Sequence, residues 1–148
     1  MKKKDGKYPF MIEADRLRGI SAFPSHTHGL ADVGLPEFIM DPYAFGGHGN
    51  ATRINSAYDF FKKQENDGYL KSILDGEVVK IQGKQLSPKY LKNDPYTYCF
   101  RKITPEFEAV KLAYFEEEIT DGMQFIQIWV DGDDYVLTDD YYRGGVRW

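Results

Sequence analysis

The sequence predicts a single α+β domain, with a mixed or antiparallel sheet of about five to seven strands and two main helices packed on one face. Three observations favour this fold class. The 148 residues suit one domain, and a composition of 42% hydrophobic and 28% charged residues is typical of a globular chain. Several short segments alternate apolar and polar residues as strands do, whereas two longer segments place apolar residues at helical spacing.

The N-terminal part of the chain is predicted to consist mainly of strands. Residues 1–8 are polar and lysine-rich, so we expect a flexible N-terminus followed by the domain at residues 9–148. Alternation and turn-forming residues predict short strands at residues 16–23, 25–30 and 37–40, with a turn at residues 31–34.

A first main helix is predicted to begin at Asn50, which is a favourable N-cap residue. It follows a glycine-rich segment at residues 44–49, which is expected to be a loop. Apolar residues then recur at i, i+3, i+4 and i+7, at Ile54, Ala57, Tyr58 and Phe61. One face of this helix is therefore expected to pack against the sheet.

The C-terminal half is predicted to alternate between strands and helices. At residues 104–106 (Thr-Pro-Glu), a capping hydroxyl, a proline and an acidic side chain predict the start of the second main helix, which is expected to end near residues 121–122. Residues 123–130 are apolar on both faces, which predicts a central strand. The other expected elements are a short helix at residues 69–74, strands at 77–81 and 96–103, and a turn at 131–134 that leads into a strand at 135–137.

Charge and cysteine content exclude several classes of function. The net charge of −4 argues against a general nucleic-acid-binding surface. The single cysteine, Cys99, permits no intramolecular disulfide, which fits a reducing compartment. No apolar run approaches the length of a membrane span, and the basic N-terminus is not followed by the apolar core of a signal peptide. We therefore expect a cytoplasmic protein that binds neither nucleic acid nor membranes.

Residues 24–50 contain all three histidines and no lysine or arginine. His26 and His28 would project from the same face of an extended segment, where they could share a metal ion. His48 could be a third ligand, since three histidines and a water form a known zinc arrangement. The acidic residues that could supply a fourth ligand are Asp32, Glu37 and Asp41. The alternative is that these are ordinary surface or hydrogen-bonded histidines.

A second candidate site is the segment that leads into the first main helix. Free backbone N–H groups at a helix N-terminus attract phosphate or carboxylate groups. The residues of this candidate anion site are Gly46, Gly47, His48, Gly49, Asn50 and Arg53. The alternative is a tight turn that needs glycine for positive φ. A metal and a phosphate held together here would indicate phosphoester chemistry, with His48 as acid or base.

Two parts of the chain resemble one protein family. Residues 27–30 (Thr-His-Gly-Leu) and 34–39 (Gly-Leu-Pro-Glu-Phe-Ile) are similar to the Thr-x-Gly-Leu and Gly-x-Pro-Glu-Leu/Phe-Ile motifs of the bacterial domain-of-unknown-function family 4262. Residues 125–132 resemble its Gln-x-x-Trp-Pro-Asp segment, with Val130 in place of the proline. The resemblance covers about residues 16–142. It implies a compact bacterial α+β domain and supplies no activity.

Three functions are compatible with these observations. The first is a domain that binds a small molecule or a protein through residues 24–50. The second is a metal-dependent hydrolase in which the three histidines hold a divalent ion such as zinc. The third is a structural module that forms homo-oligomers through an aromatic surface, since the chain contains 11 tyrosines.

Overall fold

The computed structural model of the protein describes residues 8–13, 24–40 and 45–138, with the backbone alone for residues 46–48. The strand predicted at residues 16–23 lies outside these ranges. The strands are β1 Met11–Glu13, β2 Ser25–His28, β3 Glu37–Met40, β4 Val79–Gln82, β5 Thr97–Ile103 and β6 Phe125–Val130. The helices are α1 Gly46–Phe61, α2 Asp67–Leu74, α3 Gly83–Leu86 and α4 Glu108–Ala113. None of the described helices has both the length and the apolar character needed to cross a membrane.

The strands form one mixed sheet in the order β1-β2-β3-β6-β5-β4. β3 and β6 run parallel, with Glu37 opposite Phe125, and every other neighbouring pair is antiparallel. The predicted α+β class is therefore confirmed. The central position of β6 is also confirmed, since β6 pairs with β3 on one side and with β5 on the other.

Helices cover both faces of the sheet. Ile54 of α1 and Ile73 of α2 pack in one apolar cluster with Phe100 of β5. Val110 of α4 packs in a second cluster, with Trp129 of β6, on the opposite face. The expectation that the helices share one face is therefore wrong. Because β6 is apolar on both faces, each face must be covered to keep its side chains from water.

Helix α1 begins at Gly46, one turn earlier than predicted. The glycine-rich segment thus forms the first turn of the helix and not a loop. Gly49 lies directly against Phe45, where an added Cβ would collide with the phenylalanine side chain. Asn50 is not an N-cap; it lies inside the helix, fully buried, and its Nδ2 donates to Ser25 Oγ at 3.1 Å. Packing against Phe45 and Ser25 thus outweighs the local N-cap preference of Asn50.

Two C-terminal elements also differ from the prediction. Helix α4 spans only Glu108–Ala113, and a separate 3-10 helix follows at Glu116–Glu118. Between them Tyr114 is extended, and its hydroxyl donates to a carbonyl on β2 at 2.7 Å, which draws the chain away from the helix axis. The predicted strand at residues 135–137 is a 3-10 helix, Asp134–Leu137, that buries Val136.

Candidate metal centre

Two neighbouring strands bring one carboxyl group and two imidazoles together. β1 and β2 pair with Glu13 opposite His26 and Met11 opposite His28. Because side chains alternate along a strand, His26 and His28 project from the same face of β2. Glu13 Oε1 lies 3.1 Å from His26 Nε2 and 2.8 Å from His28 Nε2. One possible ligand atom from each of these three residues lies within 4.8 Å of the other two, and we call Glu13, His26 and His28 the triad.

His26 is a fully buried member of the triad. Its Nδ1 lies 2.8 Å from the carbonyl oxygen of Pro24, which can only accept, so Nδ1 carries a hydrogen. Burial lowers the pKa of His26 from 6.5 to about 4, and the Pro24 carbonyl and Glu13 only partly offset this effect. At neutral pH the Nε2 atom therefore presents a lone pair to Glu13.

His28 is the most accessible member of the triad, with 12% of its side chain exposed. Its Nδ1 lies 3.6 Å from Oε2 of Glu118, which belongs to the 3-10 helix that follows α4. Both ring nitrogens of His28 therefore face carboxyl oxygens, one from β1 and one from the opposite side of the site.

Tyr114 covers the triad from the end of α4. Its ring lies edge-on to both imidazoles, with centroids 4.9 Å from His26 and 5.3 Å from His28. Its hydroxyl donates to the carbonyl of Thr27, between the two histidines. Burial, and then the charge of Glu37, raises the pKa of Tyr114 well above its usual value, so the hydroxyl stays protonated. The tyrosine thus provides a largely apolar wall, which strengthens electrostatic interactions within the triad.

Glu37 shapes the turn that follows His28. Its carboxyl oxygens accept hydrogen bonds from the hydroxyl of Thr27 at 2.7 Å and from the backbone N–H groups of Leu30 and Ala31 at 3.2 and 3.0 Å. Gly29 opens this turn with φ of +111°, a conformation that other residues rarely adopt. Glu37 is therefore engaged by the turn and lies outside the triad.

A cleft of about 300 Å³ opens beside His28. Its walls come from the turn after β2 and from the segment before β6, and they include Asp32, Tyr114, Glu118 and Met123. Among the described residues that line this cleft there is no lysine or arginine. Its acidic character favours neutral or cationic ligands over anions.

Of the candidate metal ligands named from the sequence, the structure brings His26 and His28 into the triad. Asp41 lies outside the described residues. Asp32 lies in the 3-10 helix Ala31–Val33, exposed on the wall of the cleft and outside the triad. The backbone of His48 belongs to α1, which packs against the other face of the sheet. The side chain of His48 lies outside the described part of the structure.

The third member of the triad, Glu13, was not predicted from the sequence. Its local signal is one acidic side chain after the largely apolar residues 8–12, and such patterns are too common to predict a ligand. Glu13 lies 13 positions before His26 and reaches it only through the pairing of β1 with β2. No local pattern specifies that pairing.

The described side chains of the predicted anion site are engaged within the protein. Arg53 Nη2 lies 2.7 Å from Asp94 Oδ2, and Arg53 Nε donates to the hydroxyl of Tyr98 at 2.9 Å. Arg53 Nη1 also donates to the carbonyl of Gly49 at 3.3 Å. The Nδ2 atom of Asn50 donates to Ser25 Oγ of β2. The guanidinium that was expected to attract an anion is therefore neutralised by Asp94.

No protein-family model, curated protein or solved structure matches this chain. The resemblance to the domain-of-unknown-function family 4262 therefore stays a prediction.

Proposed function

We propose that this protein binds a divalent transition-metal ion, such as zinc, through Glu13 Oε1, His26 Nε2 and His28 Nε2. The observation that carries the proposal is the convergence of these three atoms from two paired strands. Two histidines and one carboxylate form the ligand set of some catalytic zinc and non-haem iron(II) sites. The proposal narrows the ligand-binding function predicted for residues 24–50, which supply two of the three ligands.

The hydrogen bonding of His26 favours a cation at this position. A neutral imidazole has one N–H, and its other ring nitrogen is an acceptor. Because Nδ1 of His26 donates to Pro24, Nε2 of the neutral ring offers a lone pair to Glu13 Oε1 at 3.1 Å, and two such atoms approach each other only with a hydrogen or a cation between them. A metal ion bound by both atoms would supply that positive charge within the buried site.

The two distances from Glu13 to the imidazoles are close to those of a metal site. Metal bonds of about 2.0–2.1 Å in a tetrahedral site place neighbouring ligand atoms about 3.3 Å apart. Glu13 Oε1 lies 3.1 and 2.8 Å from the two imidazole nitrogens. A small rotation of the Glu13 side chain, lengthening these contacts by roughly 0.2–0.5 Å, would therefore admit the ion.

His28 lines the cleft, so a substrate held there would lie next to the metal site, which favours metal-dependent hydrolysis as its activity. Three protein ligands leave a coordination position for water, and zinc lowers the pKa of such a water to about 7. The acidic lining favours amide or ester substrates that are neutral or positively charged, and it disfavours phosphoesters. Hydrolysis would thus need only the triad and the cleft, without the predicted anion site.

Elemental analysis of tag-free protein, combined with Co²⁺ titration, tests the proposal. We expect about one metal ion per chain, with loss of the ion in Glu13→Gln and in His26→Ala. Glu117→Gln, which alters an exposed acidic residue, is the control. His48→Ala decides whether the third histidine contributes. Equal metal content in the two triad variants and in the control would contradict metal binding by the triad.

Two further measurements complete this test. Circular dichroism of each metal-free variant shows whether loss of metal reflects loss of folding, and glutamine at position 13 preserves the size of the side chain. Zinc-loaded protein is then assayed against neutral and cationic amides and esters. Stoichiometric metal without hydrolysis of any of these substrates would reject the hydrolase and retain the metal site.

A further inference from the structure

We infer that Glu118 is a positioning residue of the metal site, which holds His28 in the orientation and tautomer that bind the ion. This inference rests on the proposed metal-binding function and adds an outer carboxylate to it. Glu118 lies on the opposite side of His28 from Glu13, in the 3-10 helix Glu116–Glu118. It would act through His28 and would not touch the metal.

The carboxyl group of Glu118 is itself held in place. Its Oε1 accepts the backbone N–H of Phe115 at 2.8 Å, at the start of the same 3-10 helix. Its Oε2 then faces His28 Nδ1 at 3.6 Å, and 24% of the side chain is exposed. A hydrogen bond requires the two atoms to approach by roughly 0.5 Å. A partly exposed side chain can make that adjustment when the imidazole binds a metal.

Each histidine of the triad has an acceptor that faces its Nδ1 atom, at 2.8 Å for His26 and at 3.6 Å for His28. A histidine ligand that binds metal through Nε2 carries its hydrogen on Nδ1, and an acceptor at Nδ1 stabilises this tautomer and increases the basicity of Nε2. His26 has the Pro24 carbonyl in that position. His28 has Glu118. A carboxylate is a stronger hydrogen-bond acceptor than a carbonyl. We therefore expect Glu118 to affect metal affinity even though its side chain is partly exposed.

The segment that carries Glu118 is also fixed to β2. Tyr114, four residues earlier, donates to the carbonyl of Thr27, the residue between the two histidines. The residues from 114 to 118 thus contact the metal-binding strand at the carbonyl of Thr27 and at the ring of His28. Because coupling between two sites is reciprocal, metal binding should in turn stabilise this segment.

Replacing Glu118 with glutamine separates its charge from its contact with the 3-10 helix. Glutamine retains an oxygen that can accept the N–H of Phe115, but it presents an NH₂ group to His28. That group favours hydrogen on Nε2, and this tautomer competes with metal binding. We expect Glu118→Gln to weaken Co²⁺ binding by about 10- to 100-fold and to change the visible absorption of the bound cobalt.

Glu117→Gln is the matched control. Glu117 is exposed and adjacent to Glu118 in the chain, so this substitution removes the same charge without altering a contact with His28. We expect it to change the dissociation constant for Co²⁺ by less than about 2-fold. The melting temperatures of the two metal-free variants should be equal, since a merely structural role of Glu118 would lower only that of Glu118→Gln.

The outcomes of this experiment separate the two proposals. Weaker cobalt binding by Glu118→Gln than by Glu117→Gln, at equal metal-free stability, supports the positioning role. Equal dissociation constants for the two variants, or a difference that follows the metal-free melting temperatures, would overturn the role of Glu118 alone. An absence of cobalt binding to the unsubstituted protein would overturn the metal site and this role with it.

Discussion

Replacing Tyr114 with phenylalanine measures how far one buried hydroxyl stabilises β2 between the two histidines. The hydroxyl donates to the carbonyl of Thr27 at 2.7 Å, and the tyrosine is buried. Phenylalanine keeps the ring and its contacts with the imidazoles but removes this donor. The lost hydrogen bond contributes about 1 kcal/mol, and a buried acceptor without its partner costs about 1–3 kcal/mol. We expect the free energy of unfolding to fall by about 2 kcal/mol.

Urea denaturation in the presence of EDTA measures this change without a contribution from bound metal. For a chain of this size the melting temperature should fall by about 4–8 °C, and the dependence of unfolding free energy on urea should be unchanged. Tyr96→Phe is the control, because Tyr96 is 44% exposed and its substitution should change stability by less than about 0.5 kcal/mol. Equal unfolding free energies for the two variants would refute the conclusion that the Tyr114 hydroxyl anchors β2.

Zinc at about 100 times its Kd should raise the free energy of unfolding by about 2.7 kcal/mol and the melting temperature by roughly 5–10 °C in calorimetry, and a variant that lacks the triad should show no shift. Gly49→Ala should lower the melting temperature, because the new Cβ would collide with Phe45. The control is Gly68→Ala, which has no atom within 4 Å of its Cβ and should stabilise α2 by up to about 1 kcal/mol. An unchanged melting temperature for Gly49→Ala would contradict the close packing of Gly49 against Phe45. Asp94→Asn should lower the free energy of unfolding, measured by urea denaturation, by about 3 kcal/mol, because it breaks a nearly buried ion pair with an arginine at 2.7 Å. A decrease below about 1 kcal/mol would contradict a stabilising role of that pair. Burial, and then a neighbouring aspartate, raises the pKa of Cys99 to about 12. Iodoacetamide at about pH 8 should therefore alkylate the unfolded protein and not the native one. Rapid alkylation of the native protein, measured by mass spectrometry, would contradict the raised pKa.

Local sequence preferences were sufficient to predict most of the sheet. The patterns at residues 37–40, 96–103 and 123–130 predicted β3, β5 and β6, because consecutive side chains of an extended chain must face opposite sides. The same periodicity predicted that His26 and His28 share one face of β2. These conclusions depend on neighbours along the chain, so the sequence alone could supply them.

The start of α1 shows where local preference fails. Asn50 is a good N-cap residue, yet it lies inside the helix, buried against Ser25 of β2. Arg53, expected to attract an anion, instead pairs with Asp94, which lies 41 positions further along the chain. In both cases a partner distant in sequence determines the role of the side chain.

The sequence by itself determined the class of fold, the central strand and the pairing of two imidazoles on one face. Only the tertiary structure decided that Glu13 completes the triad, that Glu118 faces Nδ1 of His28, and that helices cover both faces of the sheet. The physical reason is that periodicity specifies the side of a strand on which a residue lies, whereas the identity of the neighbouring strand depends on how the whole core packs.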